Sequence, residues 1–316
     1  IVGVIMGEKL CLLKNKLCLQ ESKNSNARIA MSSKLEPGLY LLCTPIGNRG
    51  DITLRVLDVL ENCDCIVSED IRTAKKLLSM YKIMLAGRKI ISYSDNSNAY
   101  TRKKILKNIQ DGKSVALISD AGSPLISDPG YKLVSQLISD GGNLYSLPGA
   151  NSVITALTLS GLPSDRFYFF GFLPTKRAKS QDELFKLSSY MCTTIIFESP
   201  KRLLVTLEMI KKVFGKEHPI AICREMTKKF EEIQRGSVSE ILENFRNRLK
   251  ILGEFVIVIG PRNKDHLTTQ QIDEYLHFEL ETKSVKDSVK FLSETLSVSK
   301  KLIYDRAIEI KMKTKT

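Results

Sequence analysis

Tryptophan is missing from the 316 residues, and histidine occurs only at His218, His266 and His277. None of the three stands in a ligand spacing such as i, i+4, so no histidine-built metal centre is indicated. Cysteine falls at seven scattered positions, Cys11, Cys18, Cys43, Cys63, Cys65, Cys192 and Cys223, an odd number without a C-x-x-C pair. That argues against a disulfide framework and a zinc site, and it fits reduced, mostly buried thiols in a cytoplasmic protein. No apolar run approaches the roughly 20 residues of a membrane span. Glu8, Lys9, Lys14 and Lys16 interrupt the first stretch of the chain, which therefore does not resemble a signal peptide. Neither G-x-x-x-x-G-K-[ST] nor G-x-G-x-x-G occurs, which disfavours a P-loop and an ordinary dinucleotide site.

Acidic residues are also scarce relative to basic ones: 35 Asp and Glu face 48 Lys and Arg, a formal charge of +13. Such a balance favours a polyanionic partner, with nucleic acid first among them. With 43% hydrophobic and 26% charged residues the chain is long enough for two globular domains, each with its own core. The first strand pattern begins only after Met31, so residues 1–36 are expected to be a poorly ordered extension or a misplaced start.

From about residue 38, short β-branched runs alternate with amphipathic stretches, the rhythm of βαβ units on a mainly parallel sheet. This α/β domain is expected over 37–161. Past Gly161-Leu162-Pro163-Ser164 the spacing changes: the runs at 232–236 and 255–259 lack room for long crossovers on both sides. A second α/β domain with a mixed sheet is therefore expected over 162–262. After Gly260-Pro261 only helical spacing remains, with Ser284 and Ser297 or Ser299 as caps, which predicts a small three-helix appendage over 263–316.

Three strand ends carry Gly/Pro loops. Residues 39–43 run into Thr44-Pro45-Ile46-Gly47-Asn48, 114–118 into Ser119-Asp120-Ala121-Gly122-Ser123-Pro124, and 143–147 into Pro148-Gly149-Ala150-Asn151-Ser152. A helix opening near Pro129 follows the middle one. Loops at the carboxyl ends of parallel strands meet on one sheet edge, where open α/β folds bind small molecules. Taken singly, each glycine also fits a plain turn, and Asp120 and Asp128 fit plain helix or turn caps.

Taken together, these loops belong to an ordered series. With Ser68-Glu69-Asp70-Ile71-Arg72, Ser127-Asp128-Pro129-Gly130, Ser160-Gly161-Leu162-Pro163, Gly171-Phe172-Leu173-Pro174, Phe197-Glu198-Ser199-Pro200-Lys201-Arg202-Leu203 and Arg224-Glu225-Met226-Thr227-Lys228, they resemble the motifs of the ribosomal RNA small-subunit methyltransferase I family. That family has the tetrapyrrole methylase fold. The resemblance runs from about Gly38 to Pro261, and Leu302-Ile303-Tyr304 in the appendage is also similar. It implies S-adenosylmethionine as cofactor, a cleft between two α/β domains, a homodimer, and 2′-O-methylation of a cytidine ribose in the decoding region of 16S rRNA or the small ribosomal subunit.

By this resemblance Pro45, Gly47, Asp120, Ala121, Gly122, Ser123, Gly149, Asn151, Ser152, Phe197 and Glu198 are placed around the cofactor. The glycines would permit close backbone approach, and Asp120 would accept from the donor's ammonium group or a ribose hydroxyl. Glu69, Glu198 and Glu225 are unranked candidate bases, with Lys201 in a phosphate or electrostatic role. Arg55, Arg72, Lys176, Arg177, Arg202, Arg224 and Lys228 are the expected RNA contacts, positioning phosphates without reading bases. Relatives commonly carry histidines in the segment matching 92–98 and at the position of Lys201; this chain has none there, so an imidazole base is not expected. Asn151 replaces a smaller residue and brings an amide that needs a partner. Two other functions compete: a methylase of tetrapyrroles or another small substrate, and a ribosome-assembly factor that keeps the fold without turnover.

Overall fold

The structure, a computed structural model, describes residues 34–95, 99–262, 269–280, 283–296 and 298–313. The extension expected over 1–36 lies, up to residue 33, outside them. Strands β1 (Gly38–Leu42), β2 (Cys65–Ser68), β3 (Lys89–Ser92), β4 (Ser114–Ile118) and β5 (Leu144–Leu147) form one sheet in the order β3-β2-β4-β1-β5, and every pairing is parallel. They alternate with helices α1 (Leu54–Asn62), α2 (Ile71–Met80), α3 (Ala99–Gln110) and α4 (Tyr131–Ser139). β2 and β4 are buried at every position, as strands covered on both faces must be. α4 starts two residues later than the Pro129 opening expected, because Gly130 sits at φ 135°, outside helical space.

β1 and β4 are neighbours whose connections leave in opposite directions, one towards β2 and the other towards β5. That is the switch point at which such sheets open a crevice. Beyond the strand ends the two loops stay joined: Thr44 and Gly122 exchange backbone hydrogen bonds of 2.8 and 2.9 Å.

Helix α5 (Ser152–Ser160) leads to the second sheet, built from β6 (Phe167–Phe172), β7 (Thr193–Glu198), β8 (Pro219–Arg224), β9 (Glu232–Ser237) and β10 (Phe255–Ile259) in the order β6-β7-β10-β8-β9. Only β6 and β7 are parallel; the other pairs are antiparallel, the mixed sheet expected from the short spacings. Helices α6 (Arg177–Ser188), α7 (Leu203–Phe214) and α8 (Val238–Arg246) accompany it, α8 opened by a capping box of Ser237 and Glu240. Val153, Ala156 and Leu157 of α5 pack with Ile195, Ala221, Cys223, Val256 and Val258, so α5 carries the first half of the chain onto one face of the second sheet.

The terminal helices α9 (Thr269–Leu280), α10 (Val285–Leu296) and α11 (Lys300–Lys313) share a core around Leu276, Leu292 and Ile303. Ser284 and Ser299 accept from Asp287 N and Leu302 N at the two caps, whereas Ser297 lies outside the described residues. Among the described residues, no helix is long and apolar enough to cross a membrane.

The two sheets also meet through the loop after β1. Asn48 N donates to Thr227 Oγ1 at 2.9 Å, and a Cβ at Gly47 would come within 2.4 Å of Lys228 Cγ, 2.7 Å of Thr227 Oγ1 and 3.0 Å of Met226 O. Gly47 therefore serves a loop-to-loop contact. Gly47→Val is expected to cost about 1–3 kcal/mol through overpacking, read as a lower urea midpoint at unchanged m-value.

Candidate active site

The crevice at these strand ends is a cavity of about 410 Å³, walled by both halves of the chain. From the first sheet come Ile46, residues 120–123, Ile126, Ser127, Asp128, Asn151 and Ser152. From the second come Phe172, Phe197, Glu198, Ser199, Pro200, Met226 and residues 253–256. β7 and β10 run antiparallel with Phe255 opposite Glu198, which brings the end of one strand and the start of the other to the same wall.

The lining offers two kinds of surface. Ile46, Phe172, Phe197, Met226 and Val256 make one apolar, and Phe172 leans edge-on against Phe197 with ring centres 5.5 Å apart. Phe172 keeps 58% of its surface exposed. Carboxylates reach the same space from both halves, Asp120 and Asp128 from the first and Glu198 and Glu254 from the second. Glu69, Asp70 and Asp120 stand beyond the ends of β2 and β4, and burial, then Asp120 and Asp70, push the Glu69 carboxyl upward. Asp120 is likewise raised by burial and by Asp70. Asp128 goes furthest, to about 6, through burial and the charges of Glu69 and Asp120, although the Ser119 hydroxyl pulls the other way.

Backbone strain gathers at the same place. Leu125 and Ser127, in the loop after β4, hold φ of 71° and 64°, and Glu225 and Thr227, which flank the lining residue Met226, hold 49° and 65°. Non-glycine residues pay for that region, and such outliers cluster where geometry serves a ligand.

Of the residues expected around the cofactor, Asp120, Ala121, Gly122, Ser123, Asn151, Ser152, Phe197 and Glu198 line this cavity together. Pro45, Gly47 and Gly149 do not. Gly149 instead seals the β1 and β5 loops against each other, since a Cβ there would meet Cys43 Cβ at 2.7 Å. Both ends of the Asn151 amide are engaged: Oδ1 accepts from Val153 N and Ile154 N at the start of α5, and Nδ2 donates to Ser123 Oγ at 3.0 Å. It fixes the β4 and β5 loops relative to each other.

The expected bases part company. Glu198 is buried, with Oε1 accepting from Ser199 N at 2.8 Å and lying 3.4 Å from Arg202 Nε, while Oε2 accepts from Thr206 Oγ1 at 2.6 Å. Glu225 accepts from Glu254 N at 2.9 Å and from Lys228 Nζ at 3.1 Å; burial works upward on it, but these donors hold its carboxyl below the usual range. Glu225 and Glu69 lie off the cavity wall.

The basic residues also divide. Arg202 donates to Leu173 O and Pro174 O, Arg224 to Leu252 O and Glu232, and Lys228 to Glu225 and Glu254. These three brace loops of the second sheet. Arg55, Lys176, Arg177 and Lys201 are exposed, and Arg72 is 87% exposed beside Asp70. The segment expected to hold family histidines includes residues 96–98, which lie outside the described residues.

Sequence reasoning missed Ile126, Phe172 and Met226 as cavity walls, and it left Asp128 as a cap. The capping role belongs to Asp95, whose Oδ1 accepts from Gly130 N at 3.2 Å and Lys132 N at 3.4 Å. Nothing in the local pattern identifies a cap from so far along the chain.

A parallel sheet and a mixed sheet sharing a strand-end cavity define a methylase of the tetrapyrrole type: the family model for tetrapyrrole (corrin/porphyrin) methylases matches residues 38–242. Among solved structures, a cobalt precorrin-4 methyltransferase of cobalamin biosynthesis shares the fold, with a TM-score of 0.53 at 16% identity over 70% of this chain and 94% of that one. Ribosomal RNA small subunit methyltransferase I of Mesorhizobium japonicum is 39% identical over 88% of this chain and 93% of its own length. The proteins of that name from Bacillus subtilis and Rickettsia prowazekii are 35% and 42% identical over 88% and 77% of this chain, covering 97% and 85% of theirs. The chain belongs to the ribosomal RNA small subunit methyltransferase I family and is a methyltransferase.

Proposed function

We propose that this protein methylates the ribose 2′-hydroxyl of a cytidine in the decoding region of 16S rRNA, in the cytoplasm, with S-adenosylmethionine as donor. The two-sided cavity carries the proposal. An adenosyl group is flat and apolar on its faces, which suits Phe197, Ile46, Met226 and Val256, and a sulfonium with an ammonium group suits the Asp120 carboxylate in the same cavity. When bound, S-adenosylmethionine supplies an electrophilic methyl group. The chain's part is to hold the acceptor oxygen in line with that methyl and to exclude water, the positioning from which most catalysis of such a displacement comes.

The formal charge of +13 and the exposed Arg55, Arg72, Lys176, Arg177 and Lys201 support an RNA acceptor over a tetrapyrrole. Affinity for rRNA is expected to fall steeply between about 50 and 200 mM salt, measured by filter binding; a flat response would remove the charge argument. We also propose that the protein works as a homodimer, to be checked by light scattering.

Incubation with methyl-labelled donor and either small ribosomal subunits, free 16S rRNA or a tetrapyrrole tests the substrate. Label in rRNA is the expected outcome. Label in the tetrapyrrole would assign the alternative chemistry, and donor binding without label anywhere would point to an assembly factor.

A further inference from the structure

Resting on ribose methylation as the reaction, we infer that Asp128 is the group that takes the proton from the attacking 2′-hydroxyl. As the O–CH₃ bond forms and the C–S bond of the sulfonium donor breaks, the sulfur keeps the electron pair and leaves as a neutral thioether. The hydroxyl proton passes to the Asp128 carboxylate and later to water. Atoms and charge balance without a further reactant.

Elimination supports the choice. Four carboxylates line the cavity: Asp120, Asp128, Glu198 and Glu254. Glu198 is committed to Ser199, Thr206 and Arg202, and Glu254 to Lys228. Glu69 and Glu225 lie off the wall. Asp120 is exposed at the rim, whereas Asp128 is half-buried within the loop that β4 sends over the cavity. Because Asp95 already caps the start of α4, Asp128 is not spent on that helix.

The surroundings suit a base that works near neutrality. The groups acting on Asp128 are Glu69 at the end of β2, Asp120 at the end of β4 and the Ser119 hydroxyl; from the second sheet only the paired Glu198 and Glu254 face the same space. Among the described residues no Lys or Arg forms an ion pair with it. A carboxyl raised to about 6 is ionised at physiological pH, yet is a stronger proton acceptor than an ordinary aspartate.

The test is Asp128→Asn, with Asp120→Asn alongside. Its kcat on small subunits should fall by about 100-fold or more, with the dissociation constant for S-adenosylmethionine, by calorimetry, within about threefold of wild type. The wild-type kcat/KM, which reports the free enzyme, should rise with pH through about 6 and then level, and the variant should lose that limb. Asp120→Asn should keep it. A fold-level readout is independent of turnover. Asp128 has its carboxyl raised above the unfolded value of about 3.9, so its favourable contribution exists at low pH and is lost as pH rises through about 6. Asp128→Asn should therefore raise Tm at pH 7.5 relative to wild type and leave it little changed at pH 4. Overturning results are a kcat within threefold of wild type, an acid limb that survives in Asp128→Asn, or a loss confined to donor affinity. A wild-type enzyme that labels no rRNA would overturn the ribose chemistry itself, whereas an active wild type with an equally active variant would overturn only the assignment of Asp128.

Discussion

Asp120→Ala should weaken S-adenosylmethionine binding by about 10- to 100-fold while leaving affinity for rRNA nearly intact. The range corresponds to one charge-assisted hydrogen bond of about 1.5–3 kcal/mol. Asp120 lines the cavity beyond the end of β4, and burial and Asp70 bear on it with no cation paired to it among the described residues. A cationic ligand would relieve that concentration of negative charge. Calorimetric titration with the donor checks it, and unchanged affinity would take Asp120 out of the donor's contacts.

Glu198→Ala should be damaging for a different reason. Its carboxylate, 3% exposed, holds the turn after β7, accepting from Ser199 N and from the buried Thr206 hydroxyl and facing Arg202. Truncation strands both donors and leaves Arg202 only its two carbonyl partners, at a cost of about 2–4 kcal/mol. The same turn presents Ser199 and Pro200 to the cavity, so methyl transfer should fall with stability. Glu198→Gln keeps the shape and one acceptor, and should recover part of both. A urea unfolding midpoint unchanged in Glu198→Ala would show that the buried carboxylate is not a structural anchor.

Much of this molecule is legible in its sequence because strand and helix periods are cleanly separated. The buried runs at β4 and β10 stand between loops that contain Gly or Pro, and the short connection from β8 to β9 already implies antiparallel pairing. The meeting of the β1, β4 and β5 loops follows from parallel strands alone.

Less accessible was the division of labour within the site. Glycine is required wherever backbone comes close to something, and the sequence does not say to what. Gly47 and Gly149 turn out to meet Thr227, Lys228 and Cys43, while Gly122 reaches the cavity. Charged residues pose the same difficulty. Arg202, Arg224 and Lys228 read as open cations, but their partners Leu173, Pro174, Leu252, Glu232 and Glu254 are supplied by other segments of the second sheet. Asp128 inverts the case: its Ser-Asp-Pro-Gly setting reads as a cap, and only the arrival of Asp95 from beyond β3 shows that the cap is provided from elsewhere.

Nucleoside mass spectrometry of 16S rRNA, isolated from small subunits after incubation with the protein and methyl-labelled S-adenosylmethionine, is the decisive experiment. The proposed alignment of a sulfonium with a sugar hydroxyl predicts labelled 2′-O-methylcytidine, one per 16S rRNA. Label on a base nitrogen or carbon, or none in the presence of a donor-saturated enzyme, would contradict it.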